Sequence, residues 1–216
     1  MIKKIEKILT EKEIFIFDFD GVIVNSNHIK AENFFKIFEI NSIILKNKII
    51  EYHNKNIGKS RFDKIRYFLK NFEELKKYNF ESNALLKKFS DNCIESISKC
   101  EEISGSTNFL KVLKKKRKEI ILLSATPTSE LKSILLNRNL DKMFKTVAGF
   151  PINKTKFISS FISKRRYDKK KIVFFGDSNS DYLAAKKNNI DFIHVKSNLD
   201  FTYKGKKIYS IDDFNF

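Results

Sequence analysis

Short apolar segments alternate with amphipathic segments from Glu119 onward, and this pattern constrains the fold more than any other feature of the sequence. Short apolar runs rich in Ile, Leu and Phe predict buried strands. Strands that alternate with helix-length segments are typical of a parallel sheet with crossover helices. The sequence therefore predicts an α/β fold with a Rossmann-like parallel sheet, with strands at residues 120–123, 146–148, 172–175 and 192–195.

A fifth strand is predicted near the start of the chain, where an apolar run from Ile14 ends abruptly in Asp18, Asp20 and Gly21. Side chains on an extended strand point the same way at every second residue, so Asp18 and Asp20 are expected to project together. Burying two carboxylates costs free energy unless a cation or hydrogen-bond donors compensate them. The pair indicates a metal site or a proton-sharing site, and a hairpin with an Asp-Gly turn is the structural alternative.

Residues 28–101 contain no clear strand and show helical spacing of apolar positions instead. The first strand has no neighbouring strand in sequence, so we expect it to join the later four in one sheet. This arrangement predicts a Rossmann-like core formed by residues 1–26 and 102–216, and an inserted helical cap formed by residues 27–101. Ligands bind at the carboxyl edge of open α/β sheets, so the cap is expected above that edge.

The chain carries 43 Lys and Arg against 26 Asp and Glu, and its formal net charge of +17 favours anionic partners. The excess is mostly lysine in runs such as residues 114–118 and 169–171, where polar helix ends or loops are expected. Solvated surfaces explain these runs better than a dedicated binding patch, so nucleic acid is not the expected partner. A small anionic substrate would still be attracted by the positive field.

The sequence contains no segment that resembles a membrane span, and residues 1–13 lack the apolar centre of a secretory signal. We therefore expect a cytoplasmic protein with no membrane contact. Cys93 and Cys100 are the only cysteines, and two residues form neither a zinc ligand set nor a disulfide framework. Both are expected to be reduced thiols, and the oligomeric state is not predicted.

Polar side chains also follow the ends of later predicted strands. Ser124 follows the strand at residues 120–123 and is either a phosphate ligand or a serine of a turn or helix cap. Lys154 lies at the predicted start of a helix, where the helix dipole does not favour a cation. We therefore expect Lys154 to face an anion, and Lys156 is the alternative for that role.

Two further acids, Asp177 and Asp181, follow the strand at residues 172–175 and lie one helical turn apart. Part of this pattern also fits a helix capping box. Asp177 is not explained by that capping box, and with Asp18 and Asp20 it predicts an oxygen-only cluster of three acids at one sheet edge, which suits Mg²⁺. Transition metals would favour histidine, and the three histidines are scattered and expected to be structural or exposed: His28, His53 and His194.

These motifs resemble those of the haloacid dehalogenase superfamily of phosphatases and phosphomutases. Their order, their spacing and the helical insertion between the first two resemble the members with a small helical cap, including phosphoglycolate-phosphatase-like and β-phosphoglucomutase-like proteins. The four motifs are Asp18-Phe19-Asp20-Gly21-Val22, Ser124, Lys154 and Gly176-Asp177-Ser178-Asn179-Ser180-Asp181.

The resemblance implies a Mg²⁺-dependent phosphoric monoester hydrolase that acts on a small phosphorylated metabolite, with a sugar phosphate as the first candidate. A sugar phosphomutase is the enzymatic alternative, and a basic nucleic-acid-binding protein of the same fold is the non-enzymatic one. By the same resemblance, Asp18 is the nucleophile that forms an aspartyl-phosphate and Asp20 is the general acid and base. Ser124 and Lys154 would hold the phosphoryl oxygens. The implied Mg²⁺ ligands are Asp18, the backbone carbonyl of Asp20, Asp177 and Asp181.

One segment of the helical block, Gly58-Lys59-Ser60-Arg61, resembles the Gly-x-Ser-Arg segment with which sugar-phosphate mutases of this superfamily contact their substrate. Arg61 is therefore the candidate specificity residue, and an exposed arginine at a helix start is the alternative. Mutase members usually carry an acid at the position of Gly176, so the resemblance favours hydrolysis over mutase chemistry.

Overall fold

The chain forms two compact units, which are called the core unit and the helical unit below. The core unit is Met1–Asn25 with Cys100–Phe216, and the helical unit is Ser26–Lys99. The structure is a computed structural model, and it describes residues 7–8, 10–56, 59–197, 199–203 and 209–215.

Within the described residues, the core unit contains one parallel sheet of six strands, which confirms the predicted α/β fold class. The strands are β1 (Ile14–Phe17), β2 (Glu119–Pro127), β3 (Thr146–Phe150), β4 (Ile172–Gly176), β5 (Asp191–Val195) and β6 (Tyr209–Ile211). Their order is β3-β2-β1-β4-β5-β6, with neighbours parallel. From β1, the chain adds β2 and β3 on one side and β4, β5 and β6 on the other, so the direction reverses between β1 and β4. In open α/β sheets, ligands bind at the carboxyl ends of the strands at such a reversal.

Helices of the helical unit come first in the chain, and the helices of the core unit alternate with its strands. The helical unit contains α1 (Asn27–Lys36), α2 (Ile43–Lys55), α3 (Arg61–Asn71), α4 (Glu73–Lys76) and α5 (Ser82–Lys99). The core unit contains α6 (Ser106–Lys115), α7 (Thr128–Asn137), α8 (Lys154–Arg165) and α9 (Asn179–Asn188), with a 3-10 turn at Lys169–Lys171.

The alternation of Ile and Phe in β1 places the two residue types on opposite faces of the sheet. Its two isoleucines pack with aliphatic side chains of α8 and α9. Its two phenylalanines lie on the other face, where Phe17 stacks on Phe175 with ring centroids 4.9 Å apart and meets Phe109 edge-on at 6.1 Å. β1 is buried on both faces, as expected for a central strand of a parallel sheet. This burial fixes the position of Asp18, which directly follows the strand.

The helical unit has an aromatic core of its own. Phe34 stacks on Phe89 with centroids 4.1 Å apart and meets Phe68 edge-on at 5.7 Å. A buried lysine, Lys64, lies beside this core with its Nζ 3.2 Å from Nδ1 of His53. That the helical unit acts as a cap stays a prediction.

Strand boundaries differ from the sequence expectation at three places. β1 ends at Phe17, before Asp18, and β2 continues through Ser124 to Pro127 with a register shift after Leu123. The short strand β6 was not predicted. Among the described residues, no helix combines the length and apolar character needed to cross a bilayer.

Candidate active site

Asp18 is held at the reversal point of the sheet by its backbone. Its N–H donates to the carbonyl of Phe175 at 2.9 Å, which continues the pairing of β1 with β4 by one residue. The Oδ1 atom of Asp18 accepts a hydrogen bond from the N–H of Phe19 at 2.7 Å. Both bonds fix the carboxylate at the carboxyl edge of the sheet, next to the end of β4.

Asp20 lies in a tight turn rather than on an extended strand. The N–H groups of residues 22–24 all point to the carbonyl of Phe19, and Gly21 has a positive φ of 74° that a side chain would disfavour. The Oδ2 atom of Asp20 accepts a hydrogen bond from Oγ1 of Thr126 at 3.1 Å. The placement of Asp20 on an extended strand is therefore wrong, because β1 ends at Phe17. Both carboxylates are buried, and the charge of Asp20 contributes to the raised pKa of Asp18.

Three carboxylates, from Asp18, Asp177 and Asp181, converge at the ends of β1 and β4. One oxygen of each lies within 4.8 Å of the others. Their relative exposures are 7 %, 2 % and 0 %, so the cluster is removed from bulk water. Buried carboxylates this close repel each other unless cations compensate them.

Lys154 is the lysine at this cluster. Its Nζ lies 2.6 Å from Oδ1 of Asp181 and 3.0 Å from Oδ2 of Asp18. Lys156 is exposed, and its backbone N–H donates to the side chain of Asn153, which caps α8. The sequence left Lys154 and Lys156 as alternatives, and the structure brings only Lys154 to the carboxylates.

Asp181 has a structural role as well as a place in the cluster. Its Oδ2 accepts hydrogen bonds from the N–H and the Oγ of Ser178, at 3.2 Å and 2.6 Å, which completes the capping box of α9. Its Oδ1 contacts Lys154. The capping box expected as an alternative is therefore present together with the cluster. Through these contacts Asp181 connects the start of α9 to Lys154 at the start of α8.

Ser124 is buried in the carboxyl part of β2, with 1 % exposure. Its Oγ accepts a hydrogen bond from the N–H of Thr126 at 3.1 Å, so it behaves as a turn serine. Accepting this bond leaves the hydroxyl proton available as a donor. The structure is therefore compatible with both roles that the sequence allowed.

The pKa values at the cluster reflect burial and mutual repulsion. Burial is the largest cause that raises the pKa of Asp18 well above its ordinary value, the neighbouring carboxylates add to it, and Lys154 opposes it. Burial alone would lower the pKa of Lys154, but the charges of Asp18 and Asp181 outweigh it and raise that pKa. The cluster thus holds its ammonium charged and lacks enough positive charge for all its carboxylates.

The donor set of the cluster fits a hard divalent cation. If all three carboxylates are ionised, they and one ammonium carry two net negative charges, which a divalent ion would neutralise. All the candidate ligand atoms in this group are oxygens, which Mg²⁺ prefers. Among the described residues the group includes neither histidine nor cysteine, the ligands typical of zinc and other transition metals.

Gly176 allows the close approach of Asp181 to the end of β4. A Cβ at Gly176 would lie 2.4 Å from Cβ of Asp181 and 2.8 Å from its Cγ. Real Cβ atoms do not approach other carbons this closely, so any side chain at this position would displace Asp181. An acidic residue at Gly176 is therefore incompatible with the present cluster.

Arg61 lies at the start of α3 in the helical unit, where Gly58 falls outside the described residues. Its guanidinium donates to Oγ of Ser90 at 2.8 Å and lies 4.8 Å from the ring centroid of Phe89. These contacts hold the side chain against α5 instead of leaving it as a freely exposed arginine. A role of Arg61 in substrate specificity stays a prediction.

Thr126 is the residue of the site that the sequence did not single out. Its hydroxyl contacts Asp20 across 106 residues of chain. The only local signal was its place two residues after Ser124 at the end of a strand.

The family model for haloacid dehalogenase-like hydrolases matches residues 15–195. The chain therefore belongs to this family, as its motifs indicated. Its fold is that of the family's phosphatases and phosphomutases. The comparison with curated proteins gives no significant match.

Solved structures with the same fold include three over nearly the whole chain. A predicted phosphoglycolate phosphatase from Haemophilus somnus 129pt matches with a TM-score of 0.74 and 19 % identity, over 94 % of this chain and 95 % of that one. CbbY from Rhodobacter sphaeroides, in complex with xylulose-(1,5)bisphosphate, matches with a TM-score of 0.72 and 12 % identity, over 94 % and 95 %.

The third is YfnB from Bacillus subtilis, assigned as a HAD-hydrolase and bound to magnesium. It matches with a TM-score of 0.71 and 14 % identity, over 94 % of this chain and 96 % of that one. At these identities the three likenesses show the fold alone.

Proposed function

We propose that this protein is a Mg²⁺-dependent phosphatase that hydrolyses a small phosphorylated metabolite, with a sugar phosphate as the first candidate. The observation that carries the proposal is the buried group of three carboxylates and Lys154 at the sheet reversal of a haloacid dehalogenase-like chain. Such a group is costly in free energy unless a cation compensates its negative charge. Mg²⁺ would supply that charge and, with Lys154, would bind the oxygens of a phosphate monoester.

Asp18 is proposed as the nucleophile. A carboxylate oxygen of Asp18 attacks phosphorus while the bond from phosphorus to the alcohol oxygen of the substrate breaks, which gives an aspartyl-phosphate and the alcohol. Asp20, as a carboxylic acid, donates its proton to that departing oxygen. As a carboxylate it then takes a proton from water, whose oxygen attacks phosphorus and releases Asp18 and inorganic phosphate.

Charge on the transferring phosphoryl group is stabilised by fixed donors. Lys154 is already charged and held by two carboxylates, and Ser124 has a proton to donate, so both can bind phosphoryl oxygens without reorganisation. Asp18 and Asp177, the backbone carbonyl of Asp20, and Asp181 directly or through water, would hold Mg²⁺. When bound, the ion would neutralise the carboxylates and the phosphoryl oxygens.

Two sources support hydrolysis rather than mutase chemistry. The mutases that this chain resembles usually carry an acid where Gly176 stands. In this structure, a side chain at Gly176 would collide with Asp181. We therefore expect transfer to water.

Asp18→Asn is the central test. We expect it to abolish Mg²⁺-dependent release of phosphate from an aryl phosphate while circular dichroism and thermal unfolding remain close to wild type. Asp20→Asn cannot protonate the departing alcohol, so it should form the aspartyl-phosphate slowly from substrates with a poor leaving group. It also cannot activate water, so it should hydrolyse the aspartyl-phosphate slowly with every substrate. Unchanged activity of Asp18→Asn would refute the mechanism.

A panel of phosphorylated metabolites then identifies the substrate class. Release of inorganic phosphate from a sugar phosphate supports the proposal, whereas return of the phosphoryl group to another hydroxyl of the same sugar would show a phosphomutase.

A further inference from the structure

The positive charge of the core unit is concentrated at the amino edge of its sheet, opposite to the carboxylate cluster. Four chain segments lead into the amino ends of β2 to β5, and they are called the basic edge: residues 114–119, 141–145, 164–171 and 186–191. These 25 residues contain 15 of the 43 basic residues of the chain and four of its 26 acidic residues. The remainder of the core unit contains 13 of each and has no net charge.

Hydrogen bonds and ion pairs join the segments of the basic edge, and the buried Lys12 links residues 164–171 to residues 186–191 through the carbonyl of Lys170 and the carboxylate of Asp191. The Nζ of Lys114 donates to the carbonyl of Lys142 at 2.8 Å. Glu119 accepts from Lys145 at 3.0 Å and from Arg165 at 3.3 Å. In the sheet, β3, β2, β1, β4 and β5 lie side by side in that order. Adjacent strands lie about 4.8 Å apart, so the amino ends of these five strands extend over roughly 19 Å.

Most cations of the basic edge have no acidic partner within the described part of the chain. Lys145 and Arg165 share Glu119, and Lys171 pairs with Glu13. In the helical unit, by contrast, many lysines pair with a nearby glutamate, as Lys48 does. The basic-edge residues without a described ion pair are Lys114, Lys115, Lys116, Arg117, Lys118, Lys142, Lys164, Arg166, Lys169, Lys170, Lys186 and Lys187.

Two simpler explanations account for only part of this charge. A lysine-rich composition would raise the basic content throughout the core unit, yet the rest of that unit is neutral. Cations in the last turn of a helix are favoured by the helix dipole, which explains six of the 15. These six lie at the ends of α6, α8 and α9, and the other nine lie outside the α-helices, three of them in the 3-10 turn at Lys169–Lys171.

We propose that the basic edge binds the phosphate backbone of duplex nucleic acid without sequence preference. Cations without acidic partners repel one another. When they bind the phosphates of a polyanion, they release its condensed counterions, which favours binding. A duplex carries one charge per roughly 1.7 Å of its axis, so a surface of this width faces several phosphates at once. The contact would leave the carboxyl edge of the sheet unobstructed, since the two edges lie at opposite ends of the strands.

The chemistry of the basic edge favours a nucleic acid backbone over bases or a membrane. Among its described residues, none is an exposed large hydrophobic or aromatic side chain. Stacking on unpaired bases needs exposed aromatic rings, and stable membrane adsorption gains from apolar side chains that insert between lipids. The surface is therefore suited to phosphate groups alone.

The test compares binding of the full chain to a 20-base-pair DNA duplex and an RNA duplex by fluorescence anisotropy. With about five phosphate contacts, the affinity should fall roughly 500-fold between 50 and 200 mM salt, independently of base sequence. The variant K115Q/K116Q/K169Q/K170Q should bind at least about tenfold more weakly at 50 mM salt and should show a shallower salt dependence, by roughly one unit of slope per lysine.

A matched variant, K55Q/K76Q/K87Q/K99Q, removes four exposed lysines from the helical unit and changes the net charge equally. It should bind duplexes like the wild type, and both variants should retain phosphatase activity on an aryl phosphate. Absence of duplex binding at 50 mM salt, or equal losses in the two variants, would overturn the proposal. So would tighter binding to phosphatidylserine vesicles than to the duplexes, which would assign the surface to a membrane.

Discussion

The hydroxyl of Thr126 donates a hydrogen bond to the carboxylate of Asp20 at 3.1 Å, and both groups are buried. This hydrogen bond helps to fix the position of the Asp20 carboxylate, which is proposed as the general acid and base. A donor aimed at a carboxylate favours its ionised form.

Replacing this hydroxyl by a methyl group in Thr126→Val should therefore move the pH profile of hydrolysis to higher pH and lower kcat by roughly tenfold. Thr126→Ser keeps the donor and should remain close to wild type. The measurement is kcat against pH for the three proteins. A Thr126→Val profile that only falls in height, with no displacement along the pH axis, would contradict the assignment.

Lys154 and Lys156 provide a matched pair, because they lie two residues apart and only Lys154 contacts the cluster. Lys154→Met should lower kcat by roughly 100-fold to 1000-fold, since a fixed donor to the phosphoryl group is lost. Lys156→Met should leave kcat unchanged. Equal effects of the two substitutions on an aryl phosphate would exclude Lys154 as the phosphate ligand.

Gly176→Ala should displace Asp181, because the added Cβ would lie 2.4 Å from that of Asp181. We expect a lower Tm from loss of the capping box and a higher Mg²⁺ concentration for half-maximal activity. Both are measured on the same preparation, by thermal unfolding and by Mg²⁺ titration of the hydrolysis rate. If the variant has wild-type Tm and wild-type Mg²⁺ dependence, the tight contact is not required.

Much of this arrangement was predictable from the sequence because each site residue follows a buried strand. The strands around Asp18 and Asp177 are continuous apolar runs, and parallel strands of that kind bring their carboxyl ends to one edge. The choice between Lys154 and Lys156 was not predictable, because it depends on where α8 begins relative to the sheet. The start of α8 is set by its cap residue, Asn153. Sequence patterns do not locate a helix start to the exact residue.

The turn after β1 and the strand β6 were missed for a different reason. Asp18 and Asp20 follow an alternating run that predicts continued extension, but Gly21 and the bonds to the Phe19 carbonyl end the strand at Phe17. β6 has three residues, Tyr209–Ile211, too few to give a periodic signal, and it is specified by pairing with β5. Contacts within the turn decided the first, and pairing with β5 decided the second.

Lys64 makes the stability of the helical unit dependent on pH. Burial lowers its pKa to about 7, and the charges of Lys30 and Lys59 act in the same direction. Above that pKa and below the ordinary value of 10.5, the unfolded chain binds a proton that the folded unit does not bind. The free energy of unfolding should therefore rise as the pH increases from 7 toward 10.5, and the gain is lost at lower pH.

Lys64→Met removes this buried titrating group and keeps a similar shape. It should raise the free energy of unfolding by roughly 1 to 3 kcal/mol near pH 7 and flatten its increase toward alkaline pH. Lys70→Met, on the exposed side of the same helix, should do neither. Thermal unfolding at pH 6, 7.5 and 9 tests both variants, and a Lys64→Met protein that keeps the wild-type pH dependence would show that another group titrates.

The position of β1 between β2 and β4 has a consequence for protein synthesis. Among the described strands β1 leaves the ribosome first, but its two neighbours begin only at Glu119 and Ile172. Domains fold as units during translation once the required chain has emerged. The proposed nucleophile Asp18 therefore has no contact with Asp177 until β4 and the start of α9 have been made. A nascent chain that ends before β4 would carry the attacking carboxylate without its acidic partners, so the proposed hydrolysis of phosphate esters would begin only after β4 has paired with β1.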